Sequence, residues 1–251
     1  GITDNSASME KLVSKFESLN PDYVFILGDS SLDDVKIYNF FNNKFRDKIY
    51  FSPGNHEIVN ASLKKYIANV GYTYKTVESE NVRFVLINSL DSVSNINDYL
   101  KKSLRSNSDK LQIIMTHHRI WDDSLMSDFP YQHDKSYYFE EIYPLISKKV
   151  KAIFSGNSSR QYFLSRYEKS NDCQFENVNN VYWVDKVGDI KGYSIGASKG
   201  KIKVGFVYVE ENNGKLQVEP HQINFEEELV PISRLCASKN SVKPINNDSI
   251  Y

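Results

Sequence analysis

The sequence predicts an α/β fold, and three observations lead to it. Short apolar runs rich in β-branched and aromatic residues recur at Tyr23–Leu27, Lys48–Phe51, Val82–Ile87, Leu111–Met115 and Val150–Phe154. Such runs are what strands buried on both faces of a sheet look like. Segments with apolar residues at helical spacing stand between the early runs, giving the strand–helix–strand order of a parallel crossover. The last part changes character: Lys201–Glu210 and Lys215–Phe225 flank Glu211-Asn212-Asn213-Gly214, a hairpin with Asn-Gly at its tip.

Taken in order, residues 1–8 are polar, and Ser6 and Ser8 are candidate N-caps. Met9, Leu12, Val13, Phe16 and Leu19 then give one apolar helical face, which Pro21 ends. Ile37, Phe40, Phe41 and Phe45 mark a second helix leading back to Lys48–Phe51. Asn60 is placed to cap a third helix bearing Leu63, Ile67 and Val70. Residues 72–77 and 82–87 read as a hairpin around Ser79-Glu80-Asn81, and residues 95–105 as a lysine-bearing surface helix. The segment after Leu111–Met115, RIWDDSLMSDFPYQHDKSYYF, is rich in aromatics and acids. It has the length and polarity of a loop over a pocket, or of an ordinary surface loop. Shorter strand-like pieces follow at Gln161–Arg166, Val181–Val187 and Tyr193–Ile195. Residues 1–225 are expected to form one domain, and 226–251, acidic then polar, a C-terminal strap or tail.

Composition narrows the function classes. With 251 residues, 40% apolar and 25% charged, the chain has the make-up of a globular domain with a sizeable core. The net charge of −1 gives no electrostatic case for nucleic acid or an anionic membrane as partner. No apolar run approaches the roughly 18 residues of a membrane span. No stretch reads as a signal peptide, and the start at Gly1 leaves upstream residues, export and compartment open. Cys173 and Cys236 lie in no zinc or redox spacing and are read as small buried residues; whether they pair is open. Asn60-Ala61-Ser62 and Asn157-Ser158-Ser159 match glycosylation acceptors, a pattern that is often fortuitous. The 17 tyrosines and 14 phenylalanines are not clustered with Arg and Lys, so they read as packing rather than as a stacking platform.

Chemistry concentrates in the stretch Pro21–Glu57. The run Tyr23–Leu27 ends in Gly28-Asp29 with Asp33 four residues on, and Lys48–Phe51 leads to Gly54-Asn55-His56-Glu57. The crevice at the carboxyl ends of such strands is where open α/β sheets place ligands. Carboxylate, amide oxygen and imidazole make a donor set for Mn, Fe, Zn or Mg. GDxxD followed about 25 residues later by GNHE resembles the calcineurin-like metallophosphoesterases. The likeness extends over residues 1–225, because Leu111–Met115 ends in Thr116-His117-His118, where that family places a ligating histidine.

The resemblance implies a two-sheet αββα sandwich ending in an antiparallel hairpin. It implies metal-dependent hydrolysis of a phosphate mono- or diester, with a small-molecule phosphate ester as partner. Asp29 would be the bridging ligand, Asn55 and His117 ligands of the second metal, and His56 the catalytic histidine beside Asp29. Asp4 would belong to the first metal, and His118 would point elsewhere. The chain departs from the family pattern in three places. Asp4-Asn5-Ser6 stands where DxH belongs, so either the true motif lies upstream or it is degenerate. The segment Gly156-Asn157-Ser158-Ser159 stands where GHxH belongs, leaving Asn157 as an amide donor and Ser159 as a poor substitute for imidazole. The first site is therefore expected to be weak or empty, and the second to hold a single divalent ion. Fewer imidazoles shift preference toward Mg or Ca. Asp122, Asp123, Asp128 or His133 of the aromatic insert could contribute instead.

Structural alternatives stand beside these roles. Asp29 could cap the next helix, Asn55-His56 could be a turn, and His117 a hydrogen-bonded core histidine. His133 and His221 read as surface or structural residues. The functional alternative is a phosphoesterase fold that has lost its chemistry and acts as a binding or scaffold module.

Overall fold

A computed structural model of the chain describes residues 6–57, 63–121, 138–158, 182–196 and 203–224. Outside them fall Asp4, the cap Asn60, the insert's Asp122, Asp123, Asp128 and His133, the strand expected at 161–166, Ser159, both cysteines and the 226–251 tail.

Helix α1 (Ser6–Leu19) leads into strand β1 (Val24–Leu27). Ser8 lies within this helix. Asn20, with φ 44°, turns the chain before Pro21. Helix α2 (Val35–Phe45) crosses to β2 (Ile49–Ser52), which pairs parallel to β1 with Val24 opposite Ile49. The N-cap of α2 is Asp34, whose carboxylate accepts the Lys36 N–H at 2.8 Å, so Asp29 is not the cap. A single helical turn, α3 (Asn55–Glu57), and helix α4 (Leu63–Val70) follow. In α4 the buried face is Tyr66 and Val70, one turn apart, while Ile67 is 42% exposed. The expected face had included Ile67.

Strands β3 (Lys75–Glu78), β4 (Val82–Leu86), β5 (Leu111–Thr116), β6 (Val150–Ser158), β7 (Tyr182–Val187) and β8 (Ile190–Gly196) form a six-stranded sheet in the order β3-β4-β5-β6-β8-β7. Its four central strands β4, β5, β6 and β8 run parallel, and both edge strands are antiparallel to their neighbours. Helix α5 (Val93–Ser103), capped by Ser92, carries the chain from β4 to β5. Strands β9 (Lys203–Asn212) and β10 (Lys215–Asn224) form the expected closing hairpin. Asn213 (φ 52°) and Gly214 (φ 76°) are both left-handed at its tip, the geometry that selects Asn-Gly.

Three apolar clusters show how the layers stack. Met9 and Val13 of α1, Phe41 and Phe45 of α2 and Tyr66 and Val70 of α4 pack on one face of β1–β2. Phe25 and Tyr50 from the opposite face meet Ile113, Met115 and Phe154 of the large sheet and Val207 and Val218 of the hairpin. The far face of the large sheet is covered by Ile96 and Leu100 of α5 and by Tyr138, Ile142 and Ile146. The order is helices, strands, strands, helices: the expected αββα sandwich. The carboxyl ends of β1, β2, β5 and β6 open toward one side, which carries the residues singled out in the sequence.

Candidate active site

Two glycine-bounded turns face each other at that edge. Gly28 (φ 80°) and Asp29 (φ 54°) turn the chain sharply after β1. A side chain at Gly28 would stand 2.2 Å from His117 Nδ1, and one at Gly54 would stand 2.4 Å from the Asp29 backbone nitrogen and Oδ1. Both motif glycines are thus required by close approach and not only by turn geometry.

Glu57 fastens the two turns together. Its carboxylate is completely buried and accepts the backbone N–H groups of Asp29 (2.9 Å), Ser30 and Gly54 (2.8 Å). One acidic side chain from the second motif so holds the backbone of the first, with charge-assisted hydrogen bonds in a buried setting. The reading of the sequence gave Glu57 no role. Its place in GNHE was the available signal, but spacing does not reveal which N–H groups a carboxylate will take.

Asp29 is drawn into this arrangement from above. Its Oδ1 accepts the His56 N–H at 3.1 Å and lies 3.4 Å from His117 Nε2, and its Oδ2 is 3.9 Å from His56 Nε2. His117, at the end of β5, is 1% exposed. Its Nδ1 is 2.7 Å from the Leu27 carbonyl, and its Nε2 is 3.0 Å from Asn55 Oδ1. A carbonyl only accepts, so Nδ1 carries the proton that donates to Leu27. In the neutral ring Nε2 then presents a lone pair to two further oxygens, Asn55 Oδ1 and Asp29 Oδ1. Three lone-pair atoms from three chain segments converge, an arrangement that calls for a cation or a proton between them.

His118 turns away, as expected. It packs edge-on against His117 at 4.4 Å between ring centroids and bonds the Ser89 hydroxyl through Nδ1 at 3.0 Å. Burial first, then the neighbouring His117 and Arg119, hold its pKa well below the usual histidine range, so it remains neutral near pH 7. Asn157 lies at the bulge ending β6, with φ 48°, and its backbone carbonyl accepts from Arg119 at 3.1 Å. The adjacent Gly156 backs onto the Leu27 carbonyl, where a Cβ would come within 2.3 Å.

The structure thus brings Asp29, Asn55, His56 and His117 together. It sets Asn157 beside Gly156 on the β6 side of the cluster. Among the described residues no three His, Cys, Asp or Glu side chains surround one point. The third member of the Asp29–His117 group is an amide, Asn55.

Residues 2–158 match the sequence profile of the calcineurin-like phosphoesterases. Among solved structures, the chain resembles a putative 5'-nucleotidase from Staphylococcus aureus solved in complex with alpha-ketoglutarate (11% identity, TM-score 0.39, 89% of this chain and 42% of that one). The chain therefore spans less than half of that protein's length. It also resembles Vacuolar Protein Sorting 29 from Cryptosporidium parvum (11% identity, TM-score 0.34, 84% of this chain and 88% of that one). No curated protein matches it in sequence. With well over half of its length matched by the family profile, and both motifs of that resemblance facing one another across a single cluster, this chain belongs to the calcineurin-like phosphoesterase family.

Proposed function

We propose that the chain hydrolyses a small-molecule phosphate mono- or diester at the Asp29–Asn55–His56–His117 cluster, with one divalent cation held by Asp29, Asn55 and His117. The observation that carries this reading is the convergence of His117 Nε2, Asn55 Oδ1 and Asp29 Oδ1, from three chain segments, on one another. A carboxylate, an amide oxygen and an imidazole suit Mn, Fe, Zn or Mg. A cation there supplies Lewis-acid polarisation of a phosphoryl oxygen and lowers the pKa of water.

The remaining work falls to the chain's own side chains. Glu57 fixes the backbone that aims Asp29 at the cluster. The Leu27 carbonyl holds the His117 proton on Nδ1, which leaves Nε2 free to donate its lone pair. His56, 61% exposed and beside Asp29, is placed to give a proton to the leaving oxygen of an ester arriving from solvent. Asn157 is the candidate for a further oxygen donor, and Asp4 for a second cation position.

His56→Ala is expected to lower kcat on an aryl phosphate by about 10²–10⁴-fold. Metal content is expected to stay unchanged, because the His56 ring is outside the converging trio. Parallel turnover and metal assays on the variant check this. Undiminished kcat would remove His56 from the chemistry.

A further inference from the structure

The carboxyl ends of β5 and β6 lead to His117 and Asn157. The amino ends of β5, β6 and β8 form the opposite pole, and bases gather there from every connection that reaches it. Lys101 and Lys102 lie in the last turn of α5, and Arg105 follows before β5. Lys148 and Lys149 stand between the helical turn Tyr143–Ile146 and β6, and Lys151 is the second residue of β6. Lys191 is the second residue of β8 and lies opposite Lys186, near the end of β7.

Hydrogen bonds and strand register hold these segments together. The Gln112 side-chain amide donates to the carbonyls of Arg105 (2.8 Å) and Lys149 (3.2 Å), and its oxygen accepts the Arg105 N–H at 2.8 Å. One buried glutamine thus ties the end of the α5 connection to the start of β6. Gln112 lies opposite Val150 and Ile113 opposite Ala152, which leaves Lys151 as an extra residue of β6 with no partner on β5. Ala152 in turn lies opposite Lys191. From β5 to β7 the sheet takes three steps of about 4.8 Å each. Neighbouring bases on this strip therefore stand within a Debye length of one another, about 10 Å at 0.1 M salt.

Local charge balance does not account for the strip. All of these side chains are exposed except Lys149, which is half-buried. Among the described residues none of them is in an ion pair. Lys186 and Lys191 are directly opposite in an antiparallel pair, where like charges are destabilising. Cations in the last turn of α5 complement its dipole, which explains Lys101 and Lys102 but not the bases on β6, β7 and β8. The acids nearest in sequence are Asp98, Asp109 and Asp189, and Asp189 is engaged with the Tyr143 hydroxyl. The net charge of −1 is an average over the chain, whereas the fold concentrates bases at one pole.

The make-up of the strip selects its partner. All of its bases but Arg105 are lysines, point charges without the planar fork suited to nucleic acid. The segments 101–107, 147–151 and 186–191 that carry them hold no aromatic residue on which nucleobases could stack. We propose that this pole docks the protein on an anionic lipid surface, with its lysines in the headgroup layer and the Asp29–His117 cluster on the side away from it. Each base beside an anionic leaflet raises partitioning by about fivefold. Charge placement carries the docking, independently of the hydrolase reading.

Co-sedimentation of the full chain with vesicles tests this without reference to activity. Vesicles of phosphatidylcholine with about 30% phosphatidylserine are expected to bind the chain in about 0.1 M salt, and phosphatidylcholine alone to leave it in solution. Lys148→Gln, Lys149→Gln and Lys151→Gln combined are expected to weaken binding by roughly 100-fold. Lys101→Gln, Lys102→Gln and Arg105→Gln combined, on a different connection, are expected to weaken it to a similar extent. Lys15→Gln, Lys36→Gln and Lys64→Gln combined make the same change in net charge on α1, α2 and α4, and are expected to leave binding unchanged. Thermal melting of each variant shows that it is folded. Absence of binding to the anionic vesicles overturns the proposal. Equal loss in all three variants does so too, because net charge rather than this pole is then the cause. Tighter binding to a duplex or single-stranded oligonucleotide than to the vesicles also overturns it, and makes the pole a nucleic-acid surface.

Discussion

Glu57→Ala is expected to cost the protein about 3–5 kcal/mol of stability, because three backbone donors lose their acceptor at once. The carboxylate is wholly buried and serves three backbone N–H groups from two different turns. Its loss leaves those donors enclosed and unpaired, at about 1–3 kcal/mol each before relaxation. Glu57→Gln keeps the shape and one acceptor oxygen, so it is expected to fall between wild type and Glu57→Ala. Denaturant unfolding of the three proteins measures the difference. A change below about 1 kcal/mol in Glu57→Ala would mean that other contacts hold the two turns together. The same substitution is expected to weaken metal retention, because Asp29 depends on that backbone for its position.

Gly28→Ala is the second large expected effect, and it has an internal control. At Gly28 the backbone is left-handed with φ 80°, and an added Cβ would overlap the His117 ring, 2.2 Å from Nδ1 and 2.7 Å from Cγ. Gly71 has nearly the same backbone, φ 86°, with nothing within 4 Å of an added Cβ. Gly71→Ala is therefore expected to carry only the left-handed strain, about 1–2 kcal/mol. Gly28→Ala carries that strain and the displacement of His117 from the Leu27 carbonyl, for a total of about 3–5 kcal/mol. Unfolding both variants side by side isolates the site term. Equal destabilisation would show that the turn can open away from His117 without loss.

Much of this architecture was legible because each strand of the parallel core is a short apolar run ending in a polar turn. Val24–Leu27, Val82–Leu86 and Leu111–Thr116 all lie where the pattern put them. The hairpin tip was legible for a sharper reason, since two successive left-handed residues favour Asn-Gly. Ile67 was misplaced because Leu63, Ile67 and Val70 share a helical stripe, yet the face of α4 turned to the core is the one carrying Tyr66. A tyrosine at a helix surface reads as amphipathic in a sequence, and here its ring fills the core while its hydroxyl reaches the Phe51 carbonyl.

The candidate site was legible as a set of residue types and spacings. GDxxD and GNHE named Asp29, Asn55 and His56, and the end of β5 named His117. Their mutual geometry was not legible, because it depends on long-range contacts: Glu57 reaching back to Asp29, and the Leu27 carbonyl orienting His117. The capping alternative for Asp29 is excluded by a local fact, since Asp34 caps α2.

Metal stoichiometry of the purified chain distinguishes a cation site from a structural junction at the Asp29–His117 cluster. It is paired with hydrolysis of an aryl phosphate mono- and diester under added Mn, Mg and Zn, and repeated on Asp29→Ala. Close to one equivalent of divalent metal and measurable turnover are expected, with both lost in Asp29→Ala. Absence of bound metal together with absence of turnover under every ion would contradict the hydrolase reading, and the Asp29–His117 cluster would then stand as a structural junction between two turns.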